Sequence, residues 1–232
     1  PAAEESLLLA RQSGDQNDEA EALTILGCAA EDTGDLEAAV SHLEAALLLF
    51  RKIGAPRPIG ILLFHLGRVL YKQGQHTRSR VVHTEALDLQ RAQGDTWGAA
   101  WTLTAMAEIA STESATKRAA ELFRDALDLH ATQGDHYGIG YCLLGLGKLA
   151  ATSGQSEVAA HLLAGEQALR EARGMALPPN HWDARTQAIA LLRGELGEAA
   201  FAAYWAAGHS LSADRLVDEA RFMDETVTTE TN

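Results

Sequence analysis

The residues able to do chemistry in this 232-residue chain are few, and their spacing is unpromising for catalysis. Of its nine histidines, His76 and His83 stand seven apart. On a helix that is about 10 Å, too far to share one metal ion without ligands from elsewhere. His130 and His136 flank Gly134 and read as solvated turn histidines rather than metal ligands. No His-Glu-x-x-His is present, nor a glycine-rich loop ending in Lys-Ser/Thr. Gly138-Ile139-Gly140 lacks the preceding strand and the third glycine of a dinucleotide loop. Asp15 to Glu19 and Glu31-Asp32 gather carboxylates, but at helix ends, where acids complement the helix dipole. Local spacing yields no Ser/His/Asp set, and no loop is long enough to host one. The expectation is a non-catalytic segment with no cofactor and no bound metal.

The elements that hold these residues are marked by glycine. Gly14, Gly34, Gly54, Gly74, Gly94, Gly134, Gly154 and Gly174 recur every 20 residues, or 40 where Ser114 takes the missing place. Glycine supplies the left-handed residue past a helix C-terminus, and Asp15, Asp35, Asp95 and Asp135 follow as helix-starting residues. Between the rungs run amphipathic stretches, such as Ala39, Leu43, Ala46, Leu47 and Phe50. Leu26-Gly27, Leu66-Gly67, Met106-Ala107 and Leu146-Gly147 stand 40 apart, as do Ala46-Leu47, Ala86-Leu87 and Ala126-Leu127. A 40-residue helical hairpin repeated in tandem is a solenoid. The predicted organisation is a half-hairpin over 1–14, hairpins over 15–54, 55–94, 95–134 and 135–174, a helical cap over 176–224 and a flexible tail over 225–232. Pro178-Pro179 ends the repeats, and Ser114 predicts an altered turn.

Composition narrows the partners. A net charge of −13 excludes direct nucleic-acid binding by this segment and disfavours anionic membranes. Cys28 and Cys142, nearly three repeats apart, cannot meet in a solenoid and read as reduced interior residues of a cytoplasmic protein. No apolar run reaches the length of a membrane span. The chain opens on Pro1 and enters an amphipathic run at once, which reads as a segment of a longer protein.

Leu26-Gly27, Gly34-Asp35, Ala39 and Ala46-Leu47 resemble the tetratricopeptide (TPR) pattern, with a period of 40 in place of 34. The resemblance implies an all-α, right-handed TPR-like superhelix. Departures fall at Ser79 and Glu166, each replacing an alanine of the pattern, and at Ser114. His83 falls at a large packing position and reads as an interior histidine. The family's concave groove implies groove-facing places at Glu21, Thr24, Cys28 and Glu31, then Ile61, Phe64, Arg68 and Tyr71, then Trp101, Thr104 and Glu108, then Tyr141, Leu144 and Lys148. The candidate ligand or peptide site is Phe64, Arg68, Tyr71, Trp101, Glu108, Tyr141, Leu144 and Lys148. Its aromatics with interleaved cations suit an extended peptide or planar ligand. Thr24 and Cys28 stand where a carboxylate clamp for chaperone tails requires Asn and Lys, so that mode is rejected.

The closing segment is more specific. Residues 159–220, with AAHLLAGEQALREARGMALPP and LRGELGEAAFAAYWAAGHSLSADRLVDEA, are similar to the end of the TPR segment in bacterial LuxR and SARP/AfsR-like transcription regulators. Trp97-Gly98-Ala99-Ala100 and Tyr137-Gly138-Ile139-Gly140 fit the same group. The resemblance implies a protein- or ligand-binding sensor segment, whose partners are a peptide, a protein or a small-molecule inducer in the groove, and the other domains of the parent chain. Two further readings stay open: a scaffold or self-association module forming a homo-oligomer, and the TPR tail of a multidomain kinase or cyclase.

Overall fold

The computed structural model describes residues 2–177 and 181–221. Pro178-Pro179, Met223 and the expected tail over 225–232 lie outside the described residues. Among those described, every regular element is an α-helix, twelve in tandem, and the fold is all-α and TPR-like. The chain divides into two compact units, one up to Ala105 and one from Met106.

The first unit holds α1 (Ala2–Ser13), α2 (Gln16–Thr33), α3 (Leu36–Ile53), α4 (Pro56–Lys72), α5 (His76–Ala92) and the first part of α6 (Thr96–Thr112). Here α2 pairs with α3, α4 with α5, and α3 packs on α4. The second unit holds the rest of α6, then α7 (Thr116–Gln133), α8 (His136–Thr152), α9 (Ser156–Ala172), α10 (Trp182–Leu196), α11 (Glu198–His209) and α12 (Ala213–Arg221). Aspartates cap several starts, as when Asp135 accepts from the amides of Tyr137 and Gly138 at 3.1 Å.

The helix-ending glycines all take positive φ. Ser114 corrects the expectation of an altered turn. It takes φ +58, and Ala115 N donates to the Ala110 carbonyl at 2.9 Å, as Asp95 N donates to that of Gln90. The capping hydrogen bonds hold the serine in the left-handed region, at a cost of about 1 kcal/mol.

Within the first, second and fourth hairpins the helices cross where a side chain is missing, and the third has Ala107 at that place. A Cβ on Gly27 would stand 2.7 Å from Leu43 Cγ, one on Gly147 2.8 Å from Leu163 Cγ, and one on Gly67 2.4 Å from His83 Cε1. The pairs 27/43, 67/83 and 147/163 have one offset and repeat at 40 or its double. Ala39, Ala46, Ala86, Ala119, Ala126 and Ala159 are fully buried at the small positions, with Leu62, Leu63, Leu143 and Leu146 filling the gaps between them.

The cap wraps the last hairpin. Helix α10 lies on α8 and α9, α11 packs chiefly on α9, and α12 runs back over α7, α8 and α9. Leu216 sits where a Cβ of Gly165 would be, and Gly208 lies against the His161 backbone. Arg221 Nε bonds Asp128 Oδ1 at 2.7 Å, and His161 Nδ1 meets Glu219 Oε1 at 2.6 Å.

The second hairpin carries a buried polar pair where its neighbours carry Ala and Leu or Phe. Ser79 Oγ donates to the Gly67 carbonyl at 2.7 Å and lies 3.2 Å from His83 Nδ1, which is 3.0 Å from the Ser79 carbonyl. Both residues are fully buried. Burial pushes the His83 imidazole down to about 4. The unfolded chain takes up this proton near pH 6.5, the folded chain only near 4. Stability is therefore full above pH 6.5 and falls by about 3 kcal/mol as pH drops through that window. Ser79→Ala/His83→Leu restores the pattern of the first hairpin. Urea denaturation at pH 7 and pH 5 should show this variant losing less stability than the wild type on acidification. Equal losses would contradict the assignment.

Candidate functional site

In the first unit, the candidate residues gather around one buried carboxylate. Glu31 on α2 is 3% exposed, and its Oε1 accepts from Arg68 Nη2 and Lys72 Nζ on α4, each at 2.8 Å. Those side chains remain 40% and 45% exposed. The Arg68 guanidinium lies 5.7 Å over the Phe64 ring, and Phe64 in turn meets the rings of His65 at 5.5 Å and His83 at 6.1 Å, edge-on. Tyr71 packs on His76, with ring centroids 5.1 Å apart, and Trp101 on Trp97 at 6.2 Å. Trp97 and Ile61 are exposed. Burial, then the neighbouring Glu31, pushes the Cys28 thiol up. Burial, then Arg68, lowers His65. The result is a cation pair on an aromatic base, held to the helix behind it by Glu31.

Sequence reasoning placed Glu31 and Arg68 on one face but missed Lys72. The signal was there, since Lys72 follows Arg68 by four and shares its face of the helix.

In the second unit the equivalent face is occupied by the chain itself. His181, at the start of α10, packs its ring perpendicular to Tyr141 at 5.2 Å and brings Nε2 to 3.6 Å from Glu108 Oε1. Burial, then Lys148, holds His181 down to about 4. Burial also lowers Lys148, with Glu108 opposing that shift. Leu144 is buried. Thus Glu108, Tyr141 and Lys148 come together around His181, while Leu144 belongs to the interior. His181 stands 40 residues after Tyr141 and 80 after Trp101. The period itself could have found it, but the reading stopped the repeats at Gly174.

A second buried carboxylate anchors this cover. Glu166 is 3% exposed. Its Oε1 accepts from Arg170 Nε at 3.0 Å and its Oε2 from Arg185 Nε on α10 at 3.2 Å, with the two arginines 21% and 12% exposed. Arg185 also donates to Gln167 Oε1 at 2.7 Å and lies 5.8 Å over the Trp205 ring. The glutamate that departs from the repeat pattern is therefore the dock for the cap. Among the described residues no group of three His, Cys, Asp or Glu side chains is placed to hold a metal ion, and no helix is long and apolar enough to cross a membrane.

The tetratricopeptide repeat models match residues 20–52 and 59–132. The chain carries tetratricopeptide repeats. No curated protein matches it. Among solved structures it is similar to BtubC (BKLC) from P. vanneervenii, with a TM-score of 0.68 at 18% identity over 100% of this chain and 91% of that one. It is also similar to the nearly identical TPR-like repeats of a putative kinesin light chain from Podosopora anserina. There the TM-score is 0.56 at 17% identity, over 90% of this chain and 97% of that one. At such identities the likeness speaks for the fold. Repeats of this kind serve in general as protein-interaction modules.

The two buried glutamates should differ in worth. The cations on Glu31 are well exposed and can rehydrate, so Glu31→Ala is expected to cost about 1 kcal/mol. Those on Glu166 are more enclosed, so Glu166→Ala should cost about 3 kcal/mol and speed amide exchange in α10. Chemical denaturation of both variants at neutral pH checks the order, and a Glu31→Ala loss equal to or larger than that of Glu166→Ala contradicts it.

Proposed function

We propose that this chain is a protein- or ligand-binding sensor segment of a larger bacterial transcription regulator, cytoplasmic and without catalysis of its own. The observation that carries the binding part is the face of the first unit where Arg68 and Lys72 stand half-exposed on Glu31, beside Phe64 and Tyr71. A cation held in place by a buried carboxylate, over an aromatic ring, is pre-organised for a partner and loses little side-chain freedom on binding. Trp101 with Trp97 and Ile61 adds apolar anchors in the same unit. The partner expected here is an extended peptide or a flat ligand. The corresponding places of the second unit, Glu108, Tyr141 and Lys148, serve as the receiving surface for His181.

The regulator context is supported by the closing segment, residues 159–220, which is similar to the end of TPR segments in LuxR and SARP/AfsR-like proteins. In such a chain, a signal bound on the first unit would act by preferring one arrangement of the solenoid against its nucleotide-binding neighbour.

Peptides selected from a random displayed library on the intact chain test the face. Those that bind the wild type should bind Arg68→Glu/Trp101→Ala at least about 30-fold more weakly, measured at a temperature where the variant keeps wild-type helicity. Undiminished binding by the variant would place the binding surface elsewhere.

A further inference from the structure

We propose that the outer seam between α3 and α5 is a docking surface for a second copy of this chain, with each α3 lying antiparallel on its counterpart. The seam lies within the first unit. It uses other helices than the face of Arg68, Lys72 and Trp101 and is independent of the function assigned to that face.

An ion pair closes each end of this seam. Arg51 Nη2 donates to Glu85 Oε1 at 2.5 Å, and Arg78 Nη2 donates to Glu44 Oε1. Glu44, Leu48 and Arg51 stand at i, i+4 and i+7 on α3, and Arg78, Val81 and Glu85 at i, i+3 and i+7 on α5. Each set therefore shares one helix face. The pairs lie about 10 Å apart along helices that run the same way, with Leu48 and Val81 between them. Leu48 is 72% exposed and Val81 63%, the two most exposed large apolar side chains among the described residues. Repeat packing does not call for them. Asp88 and Asp128 follow Leu48 at intervals of 40, and Glu121 follows Val81 at the same interval. Apolar side chains rimmed by charge, where the repeat elsewhere places carboxylates, mark an interaction surface.

The pattern of signs selects the occupant. Along α3 the charge runs from negative at Glu44 to positive at Arg51, and along α5 from positive at Arg78 to negative at Glu85. Like signs thus occupy the diagonals of a four-cornered patch whose own charge is zero. A two-fold axis lying in the face and across the helices sets Glu44 opposite the second copy's Arg51, Arg78 opposite its Glu85, and Leu48 on its Leu48. A surface that is its own complement under a two-fold is suited to another copy of itself. This axis also runs the facing helices antiparallel, which their dipoles favour. All four charged side chains are half-exposed, so each can meet a second partner while keeping the first. Two chains of net charge −13 repel one another as wholes, and a locally neutral patch is where they can approach.

Sedimentation equilibrium of the intact chain from about 10 μM to about 1 mM tests this, since a face of this size supports a weak dimer. The wild type should approach the mass of a dimer at the upper end. Leu48→Asp, which installs the residue found at positions 88 and 128, should stay monomeric with helicity retained. Glu44→Arg/Arg78→Glu keeps the ion pair within the chain but makes the α3 side wholly positive and the α5 side wholly negative. Like charges then meet across the axis, and association should weaken at least about tenfold. Adding Arg51→Glu/Glu85→Arg restores the alternation with every sign reversed, and association should return. The charge variants decide the question even if Leu48→Asp unfolds. A wild type that stays monomeric at about 1 mM overturns the proposal. So does undiminished association of Leu48→Asp or of the twofold exchange, or a fourfold exchange that fails to recover it.

Discussion

The close crossing of two helices at a missing side chain is the constraint on which the rest of the molecule depends. Gly27 against Leu43 and Gly147 against Leu163 bring backbones together so that one large side chain spans the gap. Even the Cβ of an alanine at either glycine would press on the leucine opposite, and a larger residue would force the pair apart and unseat the neighbouring helix. Because the crossing recurs every 40 residues, its geometry is imposed on each hairpin in turn. The exceptions are informative. At Gly67 the spanning side chain is His83, and the interior meets its Nδ1 with the hydroxyl and carbonyl of Ser79. An imidazole in a leucine's place is tolerated because its Nδ1 is met, and it stays neutral there.

The same economy explains how one scaffold yields two unlike surfaces. Both units place a buried glutamate behind a pair of cations, yet Glu31 holds Arg68 and Lys72 facing outward, while Glu166 uses Arg185 to draw α10 onto the array. Once α10 is seated, His181 lands on Tyr141 and near Glu108. The face whose cations stand half-exposed in the first unit is matched in the second by a face that receives the chain's own cap. A charge buried at the small position of a repeat costs stability unless it is paired, and here the pairing fixes where the cap begins.

Much of this was legible in the sequence, for physical reasons. Glycines with left-handed φ follow most of the repeat helices, so a helix such as Leu36–Ile53 could be bounded to the residue. Ser114 was misread because the hydrogen bonds that hold a turn are made by the backbone, which does not show in residue type. The course of the cap was hidden, since α12 reaches back to α7 through contacts far apart in sequence. The site was legible as positions and not as states. Phe64, Arg68 and Tyr141 could be named from the repeat, but whether such a position lies open or covered depends on what packs over it. His181 and Arg185 do the covering, and only the fold brings them there.

The central claim is that the face bearing Lys72 is open, while the equivalent face bearing Lys148 is covered by the start of α10. Competitive acylation of the four lysines, read by mass spectrometry on the folded chain, tests it directly. The account predicts that Lys72 reacts at a rate near those of Lys52 and Lys117, that Lys148, with rates corrected for the free-amine fraction, reacts more slowly because the start of α10 covers it, and that His181→Ala raises the Lys148 rate alone. Equal rates for Lys72 and Lys148 in the wild type would contradict it.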